Sequence, residues 1–324
     1  MRIRASVLAL SIIAVLVPAT PAAAAGNGEW SVTPTPARNP GPTPRLMFFL
    51  DAPAGQTVKE SVRVSNLTTR PRSFLVYGAD AYNTPHNGGF AFRSRDEPQT
   101  GLGTWIVSPV TSVEVPARTS ADIPFTITVP ANATPGDHVG GIVAMEAEPS
   151  ATTEAAGAAV RVQRAVAARI YLRVAGTILP GLSVPDLDVD VDAPLLPVGT
   201  GGVMTYRVSN IGNVHLVPSA TVTVTGLFGH RITAAGSGPS SDMVPGAGGT
   251  FTARTSGIWP IDLVTTRVAV RAEGDVYAAR AARTVVVSWT ALAVLAGLIL
   301  LIWWRLRRRL RSRVARPRGL VAAG

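Results

Sequence analysis

The groups best suited to acid–base or metal chemistry in this sequence are four histidines, His86, His138, His215 and His230, and 20 carboxylates. No two histidines stand at metal-ligand spacing, and HExxH, GxSxG and Walker patterns are all missing. There is no cysteine, which removes disulfides and thiolate metal sites. The glycines of GTGG, residues 199–202, precede a strand pattern and not a helix, so no helix N-terminus follows to cradle a phosphate. Glu146 and Glu148 stand at i,i+2 on one strand face. A glycoside hydrolase instead sets two carboxylates around a cleft, so this pair reads as a surface pair. Asp186, Asp188, Asp190 and Asp192 alternate with Leu187, Val189 and Val191. A calcium loop would need a different spacing and a closing Glu, so the aspartates read as the solvated side of a strand. The expectation is a protein with no enzyme activity, no cofactor and no metal.

Residues suited to binding are more concentrated. Tyr82, His86, Phe90, Phe92 and Arg93 lie in or beside a polar, Gly-rich stretch at 83–103, and Trp105 follows it. Aromatic faces stack on sugars, and neighbouring Asn or Arg side chains bond hydroxyls. The competing reading is that Phe90, Phe92 and Trp105 pack inside the fold.

The elements that must position these residues are short strands. Val58, Val62 and Val64, then Ile123, Phe125, Ile127 and Val129, carry period-2 stretches, with Gly and Pro between the runs. Ile142–Met145 is a continuous apolar run of the buried kind. Residues 149–159 are small and polar, either a long hairpin loop or a linker, and the stretch to Gly176 reads as a strand completing a first domain. The fold class expected is all-β: two tandem Ig-like β-sandwich domains followed by a single transmembrane α-helix. The boundaries expected are 45–176 and 182–275, with 26–44 as a Pro-rich extended lead-in that joins no ladder.

The quartet RVSN occurs at Arg63–Asn66 and again at Arg207–Asn210. Around each copy a Pro/Gly turn enters an alternating strand, and a second block, VPARTSADIPFTITV or VPGAGGTFTART, follows further on. The doubling implies one unit per domain. Its Asn is read as a corner device that bonds backbone two residues on.

The net charge of +10 is carried by the two ends. Arg2 and Arg4 precede an apolar run that ends in Ala23–Ala25, a signal-peptide pattern over 1–25. Thr284–Trp304 is uncharged and long enough to span a bilayer. Eight arginines follow it within 305–324, as in a cytoplasmic tail. The middle is close to neutral, which argues against nucleic acid as a partner. The localisation expected is single-pass in the plasma membrane, bulk outside, with lipid contact through the helix and the Arg tail.

The run from Gly55 through VRVSN, the segment after Tyr82, TWIVSP with Trp105, VPARTSADIPFTITVP and PGDHVGGIVAM together resemble the N-terminal domain of WxL-interacting cell-surface proteins of Gram-positive bacteria. The second domain loosely matches that family's Ig-like C-terminal domain. The resemblance implies a peptidoglycan-binding first domain, with peptidoglycan or another wall polymer as ligand, and a second domain that holds another surface protein. The alternative is a membrane-tethered assembly chaperone for surface proteins, which would need an exposed strand edge. A sensor stalk is a third reading, and its short tail would need a signalling partner.

Overall fold

The computed structural model describes residues 28–37, 44–149, 151–155, 158–192, 200–236 and 242–314. The expected signal peptide and the end of the basic tail lie outside them. Strands dominate, and they build two Ig-like sandwiches, each with its own apolar core.

The first sandwich opens with β1 (Trp30–Pro34), β2 (Phe48–Ala52), β3 (Thr57–Asn66) and β4 (Arg72–Asn83). Then come β5 (Phe90–Phe92), the short helix α1 (Leu102–Trp105), β6 (Ile106–Val107), β7 (Ser112–Val115) and β8 (Ser120–Thr128). It closes with β9 (Gly136–Glu146), β10 (Ala151–Ala155), β11 (Ala158–Val162) and β12 (Ala165–Val174). One sheet runs β1-β3-β8-β6, and the facing sheet runs β2-β12-β9-β4-β5 with β7 also on β4. Alternation decides which faces meet. Val62 and Val64 on β3 sit opposite Ile123 and Ala121 on β8, so the valines share the buried face with Ile123, Phe125 and Ile127. Burying side chains of this size is worth about 1.5–3 kcal/mol each.

One expectation is corrected here and one open alternative is resolved. Residues 30–34 do not belong to an extended lead-in. They pair antiparallel with β3, and Trp30 is fully buried beside Phe74 with ring centroids 5.4 Å apart. The prolines permit this because β1 is an edge strand that ends at Pro34, where a missing N–H costs little. Residues 151–155 and 158–162 pair antiparallel as β10 and β11 and continue the β9–β12 pair, so of the two readings left open for 149–159 the hairpin holds and the linker does not.

The second sandwich holds β13 (Leu182–Ser183), β14 (Leu187–Asp192), β15 (Gly201–Asn210), β16 (Ser219–Thr225) and β17 (Arg231–Ala235). It continues with β18 (Gly248–Ser256), β19 (Ile261–Ala272) and β20 (Val276–Val287). One sheet has β15 at its centre with β13, β14 and β18, and the other runs β17-β16-β19-β20. Met204, Tyr206, Val222, Val224, Val264 and Val268 fill the space between them. Strand β20 is a further correction. Residues 276–287 pair with β19 along its whole length, so Thr284–Val287 belong to a sheet and not to the helix expected to span the membrane. Helix α2 (Trp289–Val314) begins after a single intervening residue, Ser288, and its Trp289–Arg309 stretch is long and apolar enough to cross a membrane.

The doubled quartet does what its position predicts. Asn66 and Asn210 each end a central strand and are almost fully buried. The Asn66 amide donates to the carbonyls of Arg70 (2.7 Å) and Val115 (3.0 Å), and its oxygen accepts from Thr68 N–H (3.0 Å). The Asn210 amide donates to Val214 (2.7 Å) and Met243 (3.0 Å), and its oxygen accepts from Gly212 N–H (3.0 Å). Each side chain ties its own corner to the facing block of its own sandwich.

Candidate functional site

Of the six aromatic and basic residues singled out from the sequence, the structure brings together Phe90 with Phe92, ring centroids 5.3 Å apart and edge to face, and Tyr82 with Arg93, but not all six in one site. Tyr82 on β4 is half-buried, with the Arg93 guanidinium 5.8 Å from its ring centre. Phe92 packs against Gly141, where a Cβ would come within 2.6 Å of its ring. Phe90 joins a small apolar cluster with Val139, Tyr171 and Val244, and Arg169 caps its ring at 4.2 Å. Trp105 packs against the first core and the His138 ring, centroids 4.5 Å apart. His86 is exposed at the tip of the β4–β5 turn.

That turn has a different task. Asn83 donates to the Asp242 carbonyl at 2.8 Å and accepts from Val244 N–H at 2.8 Å. The Pro85 carbonyl accepts from Thr250 N–H, and Gly88 lies directly over the Phe251 ring. Gly88 has φ +65°, and a Cβ there would stand 2.4 Å from that ring, so only glycine fits. The Gly-rich stretch is therefore spent on joining the sandwiches.

A second junction lies alongside, centred on Asp137 at the start of β9. Its carboxylate is nearly inaccessible and accepts from Arg173 Nε (2.7 Å), Arg173 Nη2 (3.0 Å) and His215 N–H (3.0 Å). The His215 ring Nδ1 lies 2.6 Å away. Burial pushes this carboxyl up, but the bonds from His215 and Arg173 outweigh it and hold it well below the usual carboxylate range. Asn213 reinforces the joint: its amide donates to Pro135 and Thr177, and its oxygen accepts from Leu179 N–H at 2.7 Å. Tyr171 donates its hydroxyl to Asp242, and burial followed by that bond pushes its phenol up to about 12. The result is an elbow fixed by charge-assisted bonds from both sides. A small cleft of about 260 Å³ beside it is lined by Asp80, Arg93, His138 and Asn213. Among the described residues no group of three or more His, Asp or Glu side chains is placed to hold a metal ion.

Glu146 departs from the surface pair read with Glu148. Its side chain is 5% exposed and is bound by Arg72 and Arg164, which both also reach Glu29. The two guanidiniums lie over the Trp30 ring at 5.7 and 5.0 Å. Glu148 remains exposed. A buried carboxylate shared by two arginines fixes strand positions.

The feature best suited to a partner is an edge. Strand β12 pairs with β9 from Ala165 to Val174, but with β2 only over Ile170–Val174. Over Ala165–Arg169 its second edge has no ladder partner among the described residues. Arg164 C=O accepts from Glu146 N–H, so bonded pairs along this antiparallel ladder fall at 164, 166 and 168. The backbone groups of Ala165, Ala167 and Arg169 therefore point outward.

No protein-family model matches the chain, and no curated protein matches it. Solved structures with similarity to it include the chaperone–tip adhesin complex of CFA/I fimbriae biogenesis. That match has 13% identity, covers 80% of this chain and 99% of the other, and has a TM-score of 0.36. The YadV chaperone gives 10% identity, coverage of 79% and 100%, and a TM-score of 0.36. The Pseudomonas aeruginosa CupB2 chaperone gives 11%, 74% and 97%, and 0.34. The resemblance to WxL-interacting proteins and the peptidoglycan-binding role drawn from it are not borne out, since no family model matches the chain. That resemblance rested on strand and turn patterns that any Ig-like sandwich shares.

Proposed function

We propose that this chain is a membrane-tethered assembly chaperone for another cell-surface protein, to which it offers the open edge of β12. The observation that carries the reading is that edge. A sheet with unpaired N–H and C=O groups is a template for a further strand. Natural proteins cover such edges unless they use them, and β-strand addition to a client is one such use. Main-chain bonds from Ala165, Ala167 and Arg169 would supply affinity, and the alternating side chains would supply register. The neighbours named above include a chaperone bound to a fimbrial adhesin, which agrees in kind with a surface-protein client. The fixed elbow supports the same reading, because a rigid pair of sandwiches presents the edge without an ordering cost. In this reading α2 spans the plasma membrane once, the sandwiches stand outside, and Arg305, Arg307, Arg308 and Arg309 remain cytoplasmic. No catalytic step is part of it.

Ala167→Pro tests the assignment. It removes one outward N–H and leaves the β9 ladder intact, because proline is tolerated on a strand edge. Full-length wild type and variant are purified from native membranes, and co-purifying surface proteins are identified. Amide exchange is then followed across β12. The expected result is client capture with slowed exchange at Ala165, Ala167 and Arg169 in wild type, and loss of both in Ala167→Pro. Equal capture by the two proteins would refute the edge as the binding element.

A further inference from the structure

We infer that the helix-proximal end of the second sandwich is itself a lipid-contact surface, seated in the headgroup–acyl boundary of the bilayer. The inference rests on reading α2 as a membrane span. Three aromatic or large apolar side chains, Leu227, Phe228 and Trp259, are exposed at this end. Leu227 and Phe228 form the β16–β17 turn, and Trp259 precedes β19; Phe228 is 73% exposed and stands 5.8 Å from Trp259. On the outer face of the same sheet, Leu263 pairs with Val285 and Ile261 with Val287, and all four are exposed.

The turn is held rigidly. Asp262, whose side chain is fully buried, accepts from Leu227 N–H at 2.9 Å. The His230 ring stacks on Trp259, centroids 4.6 Å apart and nearly parallel. Gly226 touches Asp262 so closely that a Cβ would lie 2.1 Å from its carboxylate. Burying a carboxylate in order to present Leu and Phe to water would cost stability for nothing; presenting them to lipid gains apolar burial.

Continuity with the helix identifies the occupant. The last β19–β20 pair is Ile261–Val287, and α2 starts at Trp289 with only Ser288 between them. Ser288 is buried and donates its N–H to the Pro260 carbonyl at 2.7 Å, which ties the Trp259–Pro260 loop to the first turn of the helix. A helix entering the bilayer at Trp289 therefore carries Trp259 and the Leu227–Phe228 turn to the same depth. Tryptophan is the residue favoured at that depth. One pleat repeat above the Leu263–Val285 pair, the sheet register aligns Arg231, Thr225, Thr265 and Arg283 in a row. Both arginines are exposed, so the outer face changes from apolar to cationic over two residues, roughly 7 Å. An apolar rim beneath an arginine row matches acyl chains beneath anionic headgroups.

The chain contains no cysteine, so single-site labelling needs no background removal. Phe228→Cys, Val285→Cys, Leu298→Cys and Thr119→Cys are each labelled with an environment-sensitive fluorophore. The full chain is then reconstituted in phosphatidylcholine–phosphatidylglycerol vesicles carrying shallow or deep nitroxide lipids. The expected result is quenching of 228 and 285 by shallow nitroxides, of 298 by deep ones, and none at 119. Quenching at 298 without quenching at 228 and 285 overturns the lipid-contact surface and leaves the span intact. No quenching at 298 overturns the span and the inference with it. Protection of 228 from both lipid and aqueous quenchers overturns the inference in favour of a protein partner at this end.

Discussion

Replacing Asn210 with alanine tests whether the repeated quartet is a structural rivet. The wild-type side chain makes three bonds to backbone, to Val214, Met243 and Gly212. The Met243 carbonyl also accepts from Leu216 N–H, so it keeps a partner after the change. The losses that count are at the Val214 carbonyl and the Gly212 N–H, in a site where Asn210 is 1% exposed. A net contribution of about 1 kcal/mol per bond, plus the penalty for a buried group left bare, gives about 2–4 kcal/mol for Asn210→Ala. Asn210→Asp keeps the acceptor for Gly212 but turns a carboxylate oxygen toward two carbonyls, so it should cost more than alanine. Amide exchange of the full chain reads this segment by segment. A loss of 2–4 kcal/mol speeds exchange in the second sandwich by roughly 30- to 1,000-fold if those amides open with the whole unit. Asn66→Ala should do the same in the first sandwich and leave the second unchanged, because the two sites share no partners. If Asn210→Asp exchanges like wild type, the amide donor bonds carry no weight and the reasoning fails.

Other outcomes follow from the elbow and the buried ion cluster. Gly136 has φ +120°, and a Cβ there would stand 2.2 Å from the Asn213 carbonyl, so Gly136→Ala should cost about 1–3 kcal/mol and raise amide exchange at residues 213–215. Asp137 has a depressed folded pKa, so its contribution is complete above the unfolded value of about 3.9 and fades as pH falls toward the folded one. Acid titration monitored at the His215 amide should therefore show the elbow intact at pH 5 and loosening below pH 4, and Asp137→Asn should abolish that acid dependence. Arg72→Met leaves Glu146 with Arg164 as its remaining cation, so a loss of about 2–4 kcal/mol is expected by urea denaturation of the first sandwich.

The sandwich architecture was legible because alternation survives in the sequence at Val62–Val64, Ile123–Ile127 and Leu187–Val191. The role of Asn66 and Asn210 was legible because an Asx corner is a local interaction, bonding two and four residues on. β1 was missed because the prolines beyond it outweighed the Trp30–Val32–Pro34 alternation, a period-2 signal that was present. β20 was missed because its alanines and arginines carry little strand propensity and its final valines merge into the helix that follows. Glu146 looked like a surface group because its partners, Arg72 and Arg164, are remote in sequence. The elbow was invisible for the same reason: Asp137 and His215 are 78 positions apart, and nothing local marks either as a partner. The six aromatic and basic candidates were chosen by residue type, and type does not tell a ligand platform from packing within the fold.

If the proposed chaperone reading holds, the single residue between β20 and α2 also bears on how a client would be met. A tether with slack would let the sandwiches tumble, so that most encounters would arrive at the wrong angle. With Ser288 bonded to Pro260, the junction acts as a bracket and not a leash. Rotation about the membrane normal would be the main freedom left, so the height of the β12 edge above the lipid would be constant. A client emerging from the same membrane would then search over one angle and two lateral coordinates in place of a full sphere of orientations, which lowers the entropy lost on capture.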